Sequence, residues 1–255
     1  MCNLYHVAPE NSLDSYIRRH LGKVKMPEHY PPKLTVGPFD TGMFMVADAD
    51  AGLVGRLGQW GMVRAGQQER IEYRERPSKK PGGKPVREPM LKNNARIETV
   101  ASSPAFRDAW RKGRRCLIPA QWLQEPNWQS GKCTWWQLRR ADALPWMVAG
   151  IWSEWTDPVT GEILPNFAML TFNVNSHPLL SRLHRPEKNR ATGAVLPREQ
   201  QDKRGEAHIE PDSWLAWLLG DIDEAKAMLV PPQADFYDQC DAVAMDKLRA
   251  EASAN

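Results

Sequence analysis

Three apolar runs decide the fold predicted for this chain: CLIPAQWL (116–123), PWMVAGIW (145–152) and FAMLTFNV (167–174). Each is short enough for a strand and rich in the aliphatic and aromatic residues that pack well on a pleated surface. We therefore expect these runs to form the central sheet.

Short helices are predicted on either side of these strands. Asn11 or Ser12 can cap a first helix that ends at Gly22. Ser103 followed by a proline predicts the start of a second helix, and Asp221 is placed to cap one near the C terminus. Residues 74–89 (RERPSKKPGGKPVREP) combine proline, glycine and charge, which predicts a basic surface loop without regular structure.

Length and composition favour one domain. The 255 residues are 42% hydrophobic, enough to bury one sizeable core. We expect a domain at 1–235 and a peripheral C-terminal tail at 236–255. Because no apolar stretch reaches membrane-spanning length and the start MCNLYHVAPE does not resemble a signal peptide, we expect a soluble, cytoplasmic protein with no membrane association. We also expect a monomer. The four cysteines form no CxxC pair, so neither a zinc knuckle nor a disulfide framework is predicted. We expect no metal and no cofactor.

Charge is distributed unevenly along the chain. Residues 70–115 hold 14 Lys/Arg against 5 Asp/Glu, whereas residues 199–255 hold 5 against 13. A basic face suggests a polyanionic partner, and an aromatic side chain beside it could stack on unpaired bases. The alternative is a solvated surface on which the charges mix after folding.

Cys2 carries the most distinctive chemistry. Removal of Met1 would place an amine and a thiol on neighbouring carbons, and such a 1,2-aminothiol condenses with an aldehyde to a five-membered thiazolidine ring. An α-amine titrates near about 7.7–8.0 and a thiol near about 8.5, so a fraction of each is expected to be nucleophilic at neutral pH.

Three separated segments give Cys2 its context: NNARIET (93–99), RRCLIPAQWLQE (114–125) and SRLHRPEKNR (181–190). Together with the start MCN, the segment QWGM (59–62) and Pro38, they resemble the SRAP family, the SOS response-associated peptidases, of which this chain looks like a divergent member. The resemblance spans most of the chain. It implies an α+β domain with a curved, mainly antiparallel, barrel-like sheet flanked by short helices.

The resemblance also implies a reaction. Family members free Cys2 by self-removal of Met1 and crosslink to abasic sites in single-stranded DNA, which shields the lesion. By resemblance Cys2 is the nucleophile and His184 the acid that opens the closed abasic sugar, since an imidazole exchanges protons near neutral pH. Glu125 would shuttle protons to and from the amine, and Asn94 would hold that amine by hydrogen bonds.

DNA contacts are assigned in the same way. Arg96 would grip a phosphate with its planar fork, and Arg185 would contact another. Trp60 and Pro38 would lie near the lesion, although core packing is an equal interpretation for Trp60. The basic cluster at 107–115 could follow the phosphate backbone. The expected partner is abasic single-stranded DNA, on which the protein would be nucleoid-associated.

Two rival functions stay open. In the first, Cys2 is the nucleophile of an N-terminal-nucleophile amidohydrolase or peptidase, with its own amine as the base. In the second, the protein is a non-covalent module that coats single-stranded DNA. Only the proposed capture reaction predicts a covalent complex that depends on both the abasic aldehyde and the Cys2 sulfur.

Overall fold

The computed structural model describes residues 2–78 and 80–238, and all structural statements below concern these residues. The strands are β1 (Tyr5–Val7), β2 (Val24–Lys25), β3 (Thr35–Val36), β4 (Thr41–Asp48), β5 (Gly52–Trp60), β6 (Tyr73–Arg76), β7 (Val86–Pro89), β8 (Asn94–Arg96), β9 (Arg115–Asn127), β10 (Thr134–Arg140), β11 (Trp146–Thr156), β12 (Ile163–Asn173), β13 (Arg204–Glu206) and β14 (Tyr237–Asp238). The α-helices are α1 (Glu10–Leu21), α2 (Arg107–Arg111), α3 (Trp214–Leu219) and α4 (Ile222–Ala227).

The three apolar runs form the long strands β9, β11 and β12, as the sequence predicts. The sheet runs in the order β11-β12-β5-β4-β9, and β11 also pairs with β9, so the sheet closes on itself. Most pairs are antiparallel, while β12 pairs in parallel with β5 and with β8. The prediction of an α+β domain with a curved, barrel-like sheet is confirmed.

The core lies inside this closed sheet. Phe44 and Phe167 approach within 5.3 Å between ring centroids, and the ring of Tyr5 meets that of Trp60 edge-on at 4.9 Å. Burial of such large aromatic side chains is the main favourable contribution to folding. The rigid sheet therefore fixes the positions of side chains at its strand ends.

Helix boundaries differ from the sequence prediction at two N termini. Pro9, not Asn11 or Ser12, holds the N-cap position of α1, because its backbone already has φ −57° and α1 begins at the next residue. Helix α2 begins at Arg107, after a turn in which the Phe106 N–H donates to the Ser103 carbonyl at 3.0 Å. The helix α1 does end at Gly22 (φ 71°).

The basic segment predicted to lack regular structure is partly a hairpin. Strands β6 and β7 pair antiparallel from Tyr73 opposite Pro89 to Arg76 opposite Val86. The prediction was wrong at these ends, because the backbones of the two strands pair there and place Arg74 and Arg76 beside Glu88.

Near the C terminus, β14 pairs with β10, and Tyr237 is buried in the core. The body of the fold therefore extends at least to Asp238, beyond the position 235 at which the domain was predicted to end. Residues 239–255 of the predicted tail lie outside the described residues.

Candidate active site

The N-terminal segment lies along β9. Tyr5 of β1 is opposite Leu123, and the Gln124 N–H donates to the Leu4 carbonyl at 2.9 Å. Because the two segments run antiparallel, the residues before Leu4 pass beside those after Gln124. This register brings Cys2 to Glu125, although 123 positions separate them in the sequence.

Two adjacent asparagines hold the Cys2 backbone. The Asn94 side-chain amide donates to the Cys2 carbonyl at 2.6 Å, and Asn93 donates to the same oxygen at 3.3 Å. Asn94 was predicted to hold the freed N-terminal amine; here its side-chain N–H binds the Cys2 carbonyl. The Asn94 Oδ1 atom is buried and accepts no hydrogen bond within residues 2–78 and 80–238.

Glu125 and His184 form a buried pair. The His184 Nε2 atom lies 2.7 Å from Glu125 Oε2, with the Glu125 side chain 2% exposed and the His184 side chain 15% exposed. The sequence analysis assigned both residues to the site, and the structure brings them together. His184 is the member of the pair that reaches the surface.

The backbone of His184 is held in an uncommon conformation. Its φ is 62°, which costs a non-glycine residue on the order of 1–3 kcal/mol and occurs often at functional sites. The His184 N–H donates to the Pro126 carbonyl at 2.6 Å, and the buried Lys203 ammonium donates to the Leu183 and His184 carbonyls, each at 2.7 Å. These bonds fix the imidazole against Glu125.

Burial and local charge shift the pKa values of Cys2 and Glu125 in opposite directions. Burial, followed by the charges of Glu125 and Glu206, holds the pKa of the Cys2 thiol well above its usual value. Burial also acts to raise the pKa of Glu125, but the amino terminus and His184 outweigh it, and that pKa lies below its usual value. Burial, followed by the two neighbouring carboxyls, therefore disfavours the Cys2 thiolate while Met1 is attached.

Sequence analysis missed a further carboxyl in this site. Glu206 on β13 is 3% exposed, and its carboxylate accepts a hydrogen bond from the Cys2 backbone N–H. Burial and the charge of Glu125 raise the pKa of Glu206 to about 8. Only the pairing of β13 with β12 brings it to the site, and nothing distinguishes it in a sequence region rich in acidic residues.

The predicted DNA contacts have different environments. Arg185 is exposed, with its guanidinium 5.2 Å from the centre of the Trp128 ring, and Pro38 is partly exposed. Arg96 is 45% exposed and bound to Asp202. Trp60 is fully buried against Tyr5, so its predicted DNA contact is corrected in favour of core packing.

The basic cluster at 107–115 is divided between surface and core. Arg107, Arg111 and Lys112 are exposed. Arg115 is buried, and its guanidinium donates to the carbonyls of Trp217 and Gly220. Arg115 is therefore excluded as a phosphate contact, because its donors bind the backbone at the end of α3.

No group of three or more His, Cys, Asp or Glu side chains that could hold a metal ion occurs among residues 2–78 and 80–238. In the same residues, no helix combines the length and the apolar character needed to cross a membrane. A cleft of about 410 Å³ adjoins the site at Asn94 and is lined also by Arg64, Lys92 and Phe106.

The family model for SOS response associated peptidase (SRAP) matches residues 1–245 of this chain. The match includes the four residues that were predicted from the resemblance: Cys2, Asn94, Glu125 and His184. The chain belongs to the SRAP family. No curated protein matches it.

Solved structures show the same fold as this SRAP chain. A protein from Bordetella bronchiseptica is 25% identical, with a TM-score of 0.71 over 93% of this chain and 97% of that one. A protein from Bacteroides thetaiotaomicron is 16% identical, with a TM-score of 0.62 over 93% and 90%. A phage-related protein from Bordetella bronchiseptica is 15% identical, with a TM-score of 0.55 over 93% and 92%.

Proposed function

We propose that this SRAP protein captures abasic sites in single-stranded DNA through a thiazolidine that Cys2 forms after self-removal of Met1. The observation that carries the proposal is the convergence of Cys2 with the Glu125–His184 pair in one buried site. In this proposal the bound protein shields the lesion in the cytoplasm, on nucleoid DNA.

The first step opens the abasic sugar. In its closed form the aldehyde is masked as a hemiacetal, and opening requires a proton at the ring oxygen and loss of one from the hydroxyl. His184 suits this exchange because its imidazole reaches the surface while Glu125 orients it at 2.7 Å. Glu125 stays ionised and stabilises the imidazolium, in the manner of a carboxylate that orients a catalytic histidine. In this proposal the pairing with His184 replaces the proton shuttle to the Cys2 amine that the resemblance implies for Glu125.

The second step joins protein and sugar. The freed amine attacks the aldehyde carbon, water leaves, and the Cys2 sulfur adds to the resulting imine carbon to close the ring. One water is lost in all. Because the Cys2 thiol pKa is raised, the thiol reacts as S–H and must pass its proton to a neighbouring carboxylate as the S–C bond forms.

A denaturing gel with abasic single-stranded DNA tests this proposal. We expect wild-type protein to give a heat-stable complex and Cys2→Ser to give none. Serine at position 2 also permits removal of Met1, so the variant keeps the amine and loses only the sulfur. A tetrahydrofuran analogue of the abasic site lacks the aldehyde and should bind without crosslinking.

The same gel separates the rival functions. An amidohydrolase would form no complex that depends on the abasic aldehyde, and its buried, protonated thiol is poorly prepared to attack an amide carbonyl. A purely non-covalent binder would show equal affinity for both oligonucleotides and no heat-stable band. An equally strong covalent band from Cys2→Ser would refute the thiazolidine.

A further inference from the structure

Glu206 lies at the nitrogen of Cys2, whereas the two asparagines hold the Cys2 carbonyl. One carboxyl oxygen accepts the Cys2 N–H, and the other, Oε1, is buried and has no hydrogen-bond partner in the part of the chain that the structure describes. A buried polar atom without a hydrogen-bond partner destabilises the folded state. A structural role alone does not account for a carboxyl in this position.

The groups that face Glu206 come from several elements. Glu125 from β9 and Tyr237 from β14 interact with it electrostatically, and Cys2 and the amino terminus complete the set. No Lys or Arg pairs with Glu206 in the ion pairs of residues 2–78 and 80–238. When two carboxyls share one buried site, their pKa values move apart. Here Glu125, which is paired with His184, remains ionised, whereas Glu206 holds its proton near neutral pH.

We propose that Glu206 is the catalytic residue that carries the proton at the Cys2 nitrogen, both when Met1 is released and when the aldehyde is captured. The role in capture rests on the proposed capture reaction, and the role in Met1 release rests on the proposed self-removal of Met1. The geometry that carries it is the direct contact between the Glu206 carboxyl and that nitrogen.

In Met1 release, the Cys2 nitrogen is the leaving group of the Met1–Cys2 peptide bond. Water adds to the Met1 carbonyl carbon and gives a proton to a carboxylate of the site. The C–N bond then breaks as the nitrogen takes the Glu206 proton, which yields the Cys2 amine and the carboxyl of free methionine. One water is consumed, and proton exchange with solvent restores both carboxyls.

In capture, the ionised form of Glu206, which a pKa of about 8 leaves partly populated near neutral pH, takes a proton from the Cys2 ammonium. The neutral amine attacks the aldehyde carbon, and a proton moves from the nitrogen to the oxygen to give the carbinolamine. Glu206 returns that proton to the carbinolamine hydroxyl, which leaves as water and gives an iminium. The sulfur then adds to the iminium carbon, the C=N electron pair returns to nitrogen, and Glu206 accepts the thiol proton. A carboxyl whose pKa is about 8 matches an amine that titrates near about 7.7–8.0.

Glu206→Gln tests the proposal, because the amide keeps the size of the side chain and cannot carry a proton. In one arm, the chain is synthesised without methionine aminopeptidase, and intact mass reports whether Met1 leaves. In the other, a protease whose site ends before residue 2 exposes Cys2 directly, and single-turnover crosslinking to an abasic oligonucleotide is followed from about pH 6 to 9. Glu154→Gln, which removes an exposed partner of Arg56, is the control.

We expect Glu206→Gln to retain Met1 and, when trimmed, to crosslink at least about tenfold more slowly with an altered pH profile, while Glu154→Gln behaves as wild type. Partial recovery in Glu206→Asp would support a proton-carrying role. Met1 loss and a crosslinking profile identical to wild type in Glu206→Gln would overturn it.

Failure of the proposed function has a different signature. If trimmed wild-type protein forms no crosslink, capture is refuted, and the Met1 arm still decides the role of Glu206. Should Glu206→Gln fail to fold in a thermal melt, carboxyl ¹³C NMR of wild-type protein decides instead. A Glu206 pKa near 8 supports the proposal, and one near the ordinary 4.5 overturns it.

Discussion

The buried site around Cys2 and the hairpin of β6 and β7 both contain ionisable side chains in contact with one another. The two regions differ in their exposure to solvent. Cys2, Glu125 and Glu206 are each almost fully buried, whereas every residue of β6 is exposed. In the buried site the charges shift one another's pKa values strongly, because little water screens them. At the hairpin, water and salt screen the same kind of interaction.

The difference assigns separate tasks to the two regions. Proton transfer requires groups whose pKa values differ from those in water, and the site around Cys2 provides them. The exposed arginines and lysines can supply only salt-dependent attraction to a polyanion, without chemistry or sequence preference. Changes in the buried site should therefore alter reaction rates, and changes on the surface should alter affinity.

The largest effect is expected from His184→Ala. Loss of a positioned acid–base group should slow crosslinking about 100-fold or more, while affinity for the tetrahydrofuran oligonucleotide stays within about twofold, because only 15% of the side chain is exposed. Single-turnover kinetics and fluorescence anisotropy measure the two quantities. Equal crosslinking rates in variant and wild type would remove His184 from the mechanism.

An intermediate effect is expected in the pH dependence of stability. The pKa of Glu206 is raised in the folded protein from 4.5 to about 8, so the folded state binds the proton more tightly than the unfolded one, and stability falls as pH rises between these values. Glu206→Gln removes this contribution. Its melting temperature relative to wild type should therefore increase from pH 5 to pH 8, and a constant difference would contradict the raised pKa.

A smaller effect is expected at the Arg96–Asp202 pair. If Arg96 contacts a phosphate, Arg96→Ala should weaken DNA binding severalfold and reduce the salt slope by about one phosphate contact. Asp202→Asn provides the matched opposite change, because it frees Arg96 from its ion pair and should strengthen binding. Anisotropy titrations at several salt concentrations check both, and unchanged slopes would exclude the contact.

The smallest effect is expected at the hairpin. Glu88 binds Arg74 and Arg76 at the surface, and exposed ion pairs contribute little to stability. Glu88→Gln should leave the melting temperature unchanged, and a shift of several degrees in differential scanning calorimetry would show that this region is coupled to the core. The contrast between the two regions would then have to be revised.

The sequence predicted those parts of the fold that depend on local patterns. The apolar runs at 116–123, 145–152 and 167–174 have lengths and residue types that suit buried strands, and they form β9, β11 and β12. The hairpin was missed because it forms by backbone pairing of β6 with β7, across which Glu88 also binds Arg76. The amino-acid composition of residues 74–89 does not indicate that pairing.

The candidate site was predictable only in part, for a similar reason. Glu125 and His184 stand in motifs that resemble a known family, but Glu206 reaches Cys2 only through the pairing of β13 with β12. The surroundings of Trp60 likewise follow from closure of the sheet, which places it against Tyr5. Burial, and with it the raised pKa of the Cys2 thiol, is a property of the assembled fold.

Intact mass spectrometry after incubation with an abasic oligonucleotide tests the central claim most directly. The account predicts a species equal to the chain without Met1 plus the oligonucleotide, less one water, which resists heat and borohydride because the ring has no imine to reduce. A protein that has lost Met1 and shows only its own unmodified mass after this treatment would contradict the account.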